Sequence, residues 1–407
     1  MNLFDPRTFS TDWEINVIDK LTRSVGSDKL LGFAGMLRSE LDLPIQTDWN
    51  ALECALGINR SLDQIWERVQ RVTDRASQVL REFDLDLFPS GAHPMDAMFN
   101  SAHIHVGTIH DEAAAIRLQN SVMKYVPVFG ALAANSAVWN SQRGEYKSYR
   151  MRKSAWGAVR PIELRDPETS QLSPWWCDTA PKLIWGSPTL EVRIPDCASS
   201  RRMLAELATF VAAYLHHMGT KPIEAKPSAE QYREFLTNRF AASRHGLQAT
   251  FTWNGEPRPV VELLDEMLDE CGVELDMLGA KRSDLRVLSA MVEKRMCQAD
   301  FALSVAERYP EKYAFTSAYS KLVRHWTVFE EYLESASPLE PVAVLNEDTI
   351  LAQHLSAVGE GTSVSGVREA MYYPGPVTSE IVELMLERQL IQKEVTPNRG
   401  TLLYRIS

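Results

Sequence analysis

The segment Thr189-Leu190-Glu191-Val192-Arg193-Ile194-Pro195-Asp196 alternates with period two and reads as a strand. Leu190, Val192 and Ile194 share one face; Glu191 and Arg193 share the other, about 7 Å apart. Burying a carboxylate beside a guanidinium is costly unless a charged group lies over them, and a metal ion or a phosphate suits that place. Taken alone, the segment reads first as a solvated face with an ion pair. Asp12-Trp13-Glu14 has the same form: two carboxylates leave one face of a strand whose other face is Trp13, Ile15 and Val17. Like charges held this close call for a cation, and two unrelated acids on an exposed edge are an equal alternative. His103-Ile104-His105 puts two imidazoles on one strand face, a spacing more often found in hydrogen-bonded cores than in ligand sets. Glu53 is a single acid in a fairly apolar stretch. Together, carboxylates with one imidazole form a hard ligand set suited to Mg²⁺ or Mn²⁺. Magnesium is readily shared with substrate phosphates, and Arg193 would offset charge on a transferring phosphoryl group. Neither G-x-x-x-x-G-K-[ST] nor G-x-G-x-x-G occurs, so ATP, if bound, sits on a sheet through metals and not at a glycine loop.

These side chains need strands to carry them and helices to back them. A first strand is expected over 9–19, a strand over 102–108 and the segment above. Leu62, Ile65, Val69, Val72, Ala76 and Leu80 have helical spacing and predict a long amphipathic helix. FPSGAHP (88–94) marks a loop, and a helix is expected over 111–132. The Trp-rich stretch 173–185 reads as an irregular loop, with Trp175 and Trp176 packing. Helices are expected over 201–218 and 229–240, and 261–335 reads as helical throughout.

Composition bounds the answer. With 407 residues, 45% of them hydrophobic, and ten Trp, a large core can form, in two domains or in one with an appendage. No run is long and apolar enough to cross a membrane, and MNLFDPRTFS lacks the form of a signal peptide. The five Cys are scattered with no C-x-x-C, which fits reduced core thiols in a cytoplasm. A formal net charge of −11 disfavours non-specific nucleic-acid binding.

Proline and small residues cluster at 335–342, which divides the chain into 1–337, a linker over 338–346 and a tail over 347–407. Three helices (348–358, 363–371, 377–390) and two strands (391–395, 402–406) describe a winged-helix-like tail. Residues 345–407 carry eight acids against five bases, and the third helix bears Glu380, Glu383 and Glu387. Phosphates repel such a helix, so protein contact or dimerisation is favoured over DNA.

The order of these segments resembles the glutamate–cysteine ligase type 2 family, the carboxylate–amine ligases of glutamine-synthetase-like fold. The matching pieces are Asp12-Trp13-Glu14 with Val17-Ile18-Asp19, Ala51-Leu52-Glu53, Gly91-Ala92-His93-Pro94 and His103-Ile104-His105-Val106-Gly107. Then come Tyr125-Val126-Pro127 with Ala131-Leu132-Ala133-Ala134-Asn135-Ser136, Ser148-Tyr149-Arg150, Thr189 to Asp196, Asn238-Arg239-Phe240 and Arg244-His245-Gly246-Leu247. The tail lies outside the resemblance.

The resemblance implies an α+β fold: an antiparallel sheet with flanking helices, followed here by the winged-helix-like domain. It implies ATP- and Mg²⁺-dependent amide formation through an acyl phosphate, from a small carboxylate and an amine such as an amino acid or peptide, and it is compatible with a homodimer. It implies that Asp12, Glu14, Glu53, His105 and Glu191 hold the metal ions. It further implies that Arg193 stabilises the transferring phosphoryl group and that Arg150 holds a phosphate or the substrate carboxylate, with His103 beside the ligands. Three features depart from the family: Asp12 where Glu is usual, shortened connections after Gly91-Ala92-His93-Pro94 and between Arg150 and Glu191, and the added tail. They motivate a second reading, a ligase-derived nucleotide- or metabolite-binding regulator whose tail contacts DNA or a protein. The retained charged faces favour the enzyme.

Overall fold

The computed structural model describes residues 4–406 apart from 96–97, 141, 154–158, 171–176, 185–186, 223–226, 336–340, 346, 360, 372–374 and 397–399. Trp175, Trp176, both ends of the expected linker and the turn between the last two strands lie outside the described residues.

The strands that carry the charged positions come first. They are β1 (Phe4–Asp19), β2 (Ile45–Asp48), β3 (Ala51–Ala55), β4 (Leu85–Phe88) and β5 (Ala102–Ile109). A short hairpin, β6 (Val138–Trp139) and β7 (Gln142–Arg143), precedes β8 (Thr179–Ile184) and β9 (Ser187–Val192). One antiparallel sheet runs β2-β3-β1-β5-β9-β8, with β4 also on β1. The fold is α+β, as the sequence led us to expect.

The helices interleaved with these strands are α1 (Ser27–Leu41), α2 (Leu62–Arg81), α3 (Glu112–Val122), α4 (Val126–Leu132), α5 (Tyr149–Arg152), α6 (Arg201–Met218) and α7 (Ala229–His245). Alternation sends Trp13, Ile15, Leu52, Ile104 and Leu190 to the sheet face covered by α6, and all five are buried. Helix α6 is apolar nearly all round, as a helix in a core must be, and Ser200 caps it by accepting from the Met203 amide. The predicted amphipathic helix is α2, which buries Ile65, Val69, Val72 and Ala76.

Three expectations are corrected. The helix expected over 111–132 breaks into α3, a 3₁₀ turn at Met123–Tyr125 and α4, because Pro127 sits in the first turn of α4 and cannot donate to a continuing helix. The stretch read as an irregular loop contains β8, whose pairing with β9 supplies the order that its composition concealed. Between residues 261 and 335 the chain is a series of short helices: α8 (Val260–Glu270), α9 (Gly272–Met277), α10 (Arg286–Lys294), α11 (Gln298–Arg308), α12 (Lys312–Val323) and α13 (Val328–Glu334). A hairpin, β10 (Thr250–Trp253) and β11 (Glu256–Pro259), leads into them.

The tail comprises α14 (Glu347–Leu355), β12 (Thr362–Ser363), α15 (Val364–Met371), α16 (Gly375–Glu387), β13 (Ile391–Thr396) and β14 (Gly400–Arg405), with strand order β12-β14-β13. Its apolar cluster, including Ile350, Val367, Ile381 and Met385, also takes in Met95 and Tyr313 from the body. No helix among the described residues is long and apolar enough to cross a membrane.

Candidate active site on the charged sheet face

Register decides which charges meet. Glu14 lies opposite Glu53, and Gln46 lies on the far side of Glu53. Asp12 lies opposite His103 on β5, and His105 lies opposite Glu191 on β9. Asp12, Glu14, Glu53, His103, His105 and Glu191, scattered over 180 residues of chain, therefore share one face. Arg193, just beyond β9, joins them through Nη1, which donates to Glu191 Oε1 at 2.7 Å.

The face is acidic at one end and cationic at the other. Glu191 is buried, with Lys182 Nζ 2.5 Å from Oε2 and His105 Nε2 3.6 Å from Oε1. Burial would raise its carboxyl, but His105, Arg193 and Lys182 outweigh burial and hold it below the usual range. His105 Nε2 is 2.9 Å from Asp12 Oδ2; burial disfavours its charge, yet Glu191 and Asp12 prevail and raise its pKa. His103 goes the other way: burial, then Arg193 and Arg150, hold it well below the ordinary histidine value. Its neutral ring fits a chain in which Nε2 donates to Ser101 Oγ at 2.5 Å and Ser101 Oγ donates to Glu14 Oε2 at 2.6 Å. The Ser101 amide also donates to Glu14 Oε2, at 2.8 Å.

Toward β2, Glu14, Glu53 and Asp48 make no ion pair with a lysine or arginine among the described residues, and Arg193 acts on them only at a distance. Glu14 is pushed up to about 7, chiefly by burial, against the lowering hydrogen bond from Ser101. Glu53 is raised by burial and by Asp12. Asp48 is also raised by burial, and its carboxyl lies close enough to Glu14 to share a proton.

Sequence reasoning passed over two residues. Asp48 ends β2, and the two-residue turn at 49–50 folds it back beside the Glu53 strand. The alternation Gln46, Asp48 was the available signal, but Trp49-Asn50 is not a strong hairpin turn sequence. Lys182 was hidden in the stretch read as a loop; it faces Thr189 in register and neutralises Glu191.

Arg150 departs from its expected role. It is 1% exposed, its Nη2 donates to the Arg193 carbonyl at 2.8 Å and its Nη1 to the Ile194 carbonyl at 3.2 Å. A guanidinium spent on backbone carbonyls beneath the strand is a support for Arg193, not an open clamp for a phosphate or a substrate carboxylate. Arg150 stands in a buried hub with Asp196, which accepts from the Asn135 amide at 2.8 Å, from Ser136 Oγ at 2.7 Å and from Ser148 Oγ at 3.1 Å. A Cβ on Gly91 would come within 2.6 Å of Asp196 Cβ, so only glycine lets this loop close on the hub. The pieces Gly91, Asn135-Ser136 and Ser148-Tyr149-Arg150 thus meet at Asp196, away from the charged face.

Among the described residues, no three His, Cys, Asp or Glu side chains are already drawn together around a point that could hold an ion. The contact of His105 with Asp12, and Lys182 and Arg193 on Glu191, supply partners for these carboxylates instead. The donor set nonetheless fits a hard divalent cation: carboxyl oxygens of the buried Glu14 and the half-buried Glu53, both raised chiefly by burial, lie on one face with an imidazole. His105 Nδ1 and Arg193 Nε are buried with no hydrogen-bond partner among the described residues.

Residues 91–162 match the model of glutamate–cysteine ligase family 2. A Nocardia farcinica protein provisionally called glutamate–cysteine ligase 2-2 is 25% identical over 295 residues, 60% of this chain and 76% of that one. One from Clavibacter michiganensis, provisionally called glutamate–cysteine ligase 2, is 24% identical over 338 residues, 67% of this chain and 85% of that one. Among solved structures, glutamate–cysteine ligase of Francisella tularensis in complex with AMP is similar with a TM-score of 0.55 at 10% identity, over 94% of each chain. The structure of the prokaryotic ubiquitin-like protein Pup with its ligase PafA gives 0.51 at 12% identity, over 98% of this chain and 88% of that one. These structural likenesses concern the fold.

Proposed function

We propose that this chain, a relative of the glutamate–cysteine ligase type 2 family, is an ATP- and Mg²⁺-dependent carboxylate–amine ligase that forms an amide, of γ-glutamyl type, and releases ADP. The observation that carries the proposal is a single sheet face with unneutralised carboxyls at one end and Arg193 and Lys182 at the other. Such a face suits a polyanion brought in with divalent cations.

In this reading Asp12, Glu14, Glu53, His105 and Glu191 hold Mg²⁺, with Asp48 beside them. The ion supplies neutralisation of the phosphate oxygens. Arg193 and Lys182 lie where charge develops on the transferring phosphoryl group, and fixed cations there need no reorganisation during the reaction. The substrate carboxylate oxygen attacks the γ-phosphorus while the bond to the β-phosphate oxygen breaks, giving an acyl phosphate and ADP. The amine nitrogen then attacks the acyl carbon, phosphate leaves and the nitrogen loses a proton. His103, neutral and tied through Ser101 to Glu14, keeps the middle of the face in a fixed geometry. Acid and amine are small molecules in this reading, and the acidic tail is a protein-contacting, winged-helix-like domain.

The test is ADP release with Mg²⁺ and ATP across a panel of amino acids and short peptides, with hydroxylamine as the trapping amine for an acyl phosphate. ADP formed only when carboxylate and amine are both present is the expected result. No ADP across the panel, together with no nucleotide binding by calorimetry, overturns the proposal.

A further inference from the structure

Asn238-Arg239-Phe240 has no part in the charged face, yet its arginine is held by four hydrogen bonds. Arg239 Nε donates to Asp178 Oδ2 at 2.6 Å and Nη2 to Asp178 Oδ1 at 3.1 Å, a fork on a carboxylate that is wholly buried. Nη1 donates to the Met151 carbonyl at 2.7 Å, and Nη2 also to the Val159 carbonyl at 2.8 Å. Asn238 fixes the base of this arrangement: its side chain exchanges two hydrogen bonds with the Thr252 backbone, at 2.7 and 2.8 Å.

The partner, Asp178, is joined directly to the site. Its backbone carbonyl accepts from the Arg193 amide at 2.8 Å and from the Ile194 amide at 3.1 Å. The carbonyls of those two residues accept from Arg150. Strand β9 ends at Val192, so Arg193 lies outside the ladder, and Asp178 and Arg150 hold its backbone from both sides. Asp178 is anchored by its amide, which donates to the Arg160 carbonyl at 2.7 Å, and by its side chain, which Arg239 holds.

We infer that Arg239 is a positioning residue for Arg193: through Asp178 it fixes the backbone from which the cationic end of the face projects. Arg193 reaches Glu191 from a main chain that lies past the end of β9, and so its guanidinium is placed by Asp178 on one side and Arg150 on the other. A lysine at position 239 keeps the charge but cannot fork onto Asp178 and reach two carbonyls together. The consequence for phosphate binding rests on the ligase reading above; the consequence for the backbone does not.

The test uses the full chain with Arg239→Lys, and Asp178→Asn should the lysine variant fail to fold. Amide hydrogen exchange is read at Arg193 and Ile194 against the amides of β1 and β5, and binding of AMP-PNP with Mg²⁺ is read by calorimetry. Expected are exchange about tenfold faster at Arg193 and Ile194 with β1 and β5 still protected, and nucleotide affinity about tenfold lower, the size usual for loss of a supporting partner. Unchanged exchange at the two amides overturns the inference, as does a rise spread equally over the sheet, which marks a general structural role. Unchanged nucleotide affinity in the variant overturns it too. If the unaltered protein binds no nucleotide, it is the ligase reading that falls, and the exchange result alone decides the role of Arg239.

Discussion

Two charged regions lie within one hydrogen-bond chain of each other and are built from the same residue types. In the hub around Asp196 and Asp178, both carboxylates are fully buried and accept from amides, hydroxyls or a forked arginine. Burial raises the two hub carboxyls and Glu14, Glu53 and Asp48 of the sheet face alike, and the difference lies in the partners: on the face His105 Nδ1 and Arg193 Nε are buried with no hydrogen-bond partner among the described residues. Burying charge is tolerable when the protein itself returns the lost hydration, and the hub does so. The face leaves that to something else. Completeness of partners therefore separates a support from a site better than the presence of arginine and aspartate does, and Arg150 is the case in point.

The largest effect expected to separate the two regions is Glu191→Gln. It should lower ADP formation by about 10²–10³-fold, the scale of losing one preorganised electrostatic group, with a much smaller change in urea midpoint than a hub variant gives. Normal turnover would sink the assignment of Glu191. Asp196→Ala should do the reverse: it strands Arg150 and three donors in the core and should cost about 3–5 kcal/mol in equilibrium unfolding. A loss near zero would mean that the hub is not a support.

Next comes pH. The Glu14 carboxyl lies at about 7 in the fold against 4.5 ordinarily, so the folded chain holds its proton more tightly than the unfolded chain. The stability this group contributes is fully present below about 4.5 and is lost as pH rises through about 7. The metal-free melting temperature should fall across that window, and Glu14→Gln should flatten the fall. Mg²⁺ should stabilise the protein more at pH 8 than at pH 5.5, since the proton and the cation compete for the same oxygens. Equal stabilisation at both would remove Glu14 from the metal set. The smallest effect is Ser101→Ala, which deletes a hydrogen bond that lowers Glu14. It should move the Glu14 midpoint up by roughly half to one pH unit, read in the same melting profiles; a downward move would contradict the network.

The charged strand positions were legible because period-two alternation shows in a linear chain. Leu190, Val192 and Ile194 against Glu191 and Arg193 need no neighbour to be read. Asp48 and Lys182 were not legible, since each depends on a pairing partner that composition does not mark: a turn without Asn-Gly in one case and a strand within a Trp-rich stretch in the other. The break at Pro127 was written in the chain but overridden by the apolar pattern around it.

Sequence by itself determined the residue types of the face, the amphipathic helix beneath the sheet, the acidic character of the tail and the family resemblance. These follow from local spacing and composition. Tertiary structure alone decided that Glu14 meets Glu53, that His105 meets Glu191 and that Arg150 and Arg239 turn inward. The physical reason is that burial and hydrogen-bond satisfaction are properties of neighbours brought from far along the chain. An arginine is a clamp or a strut according to what the fold places around its guanidinium.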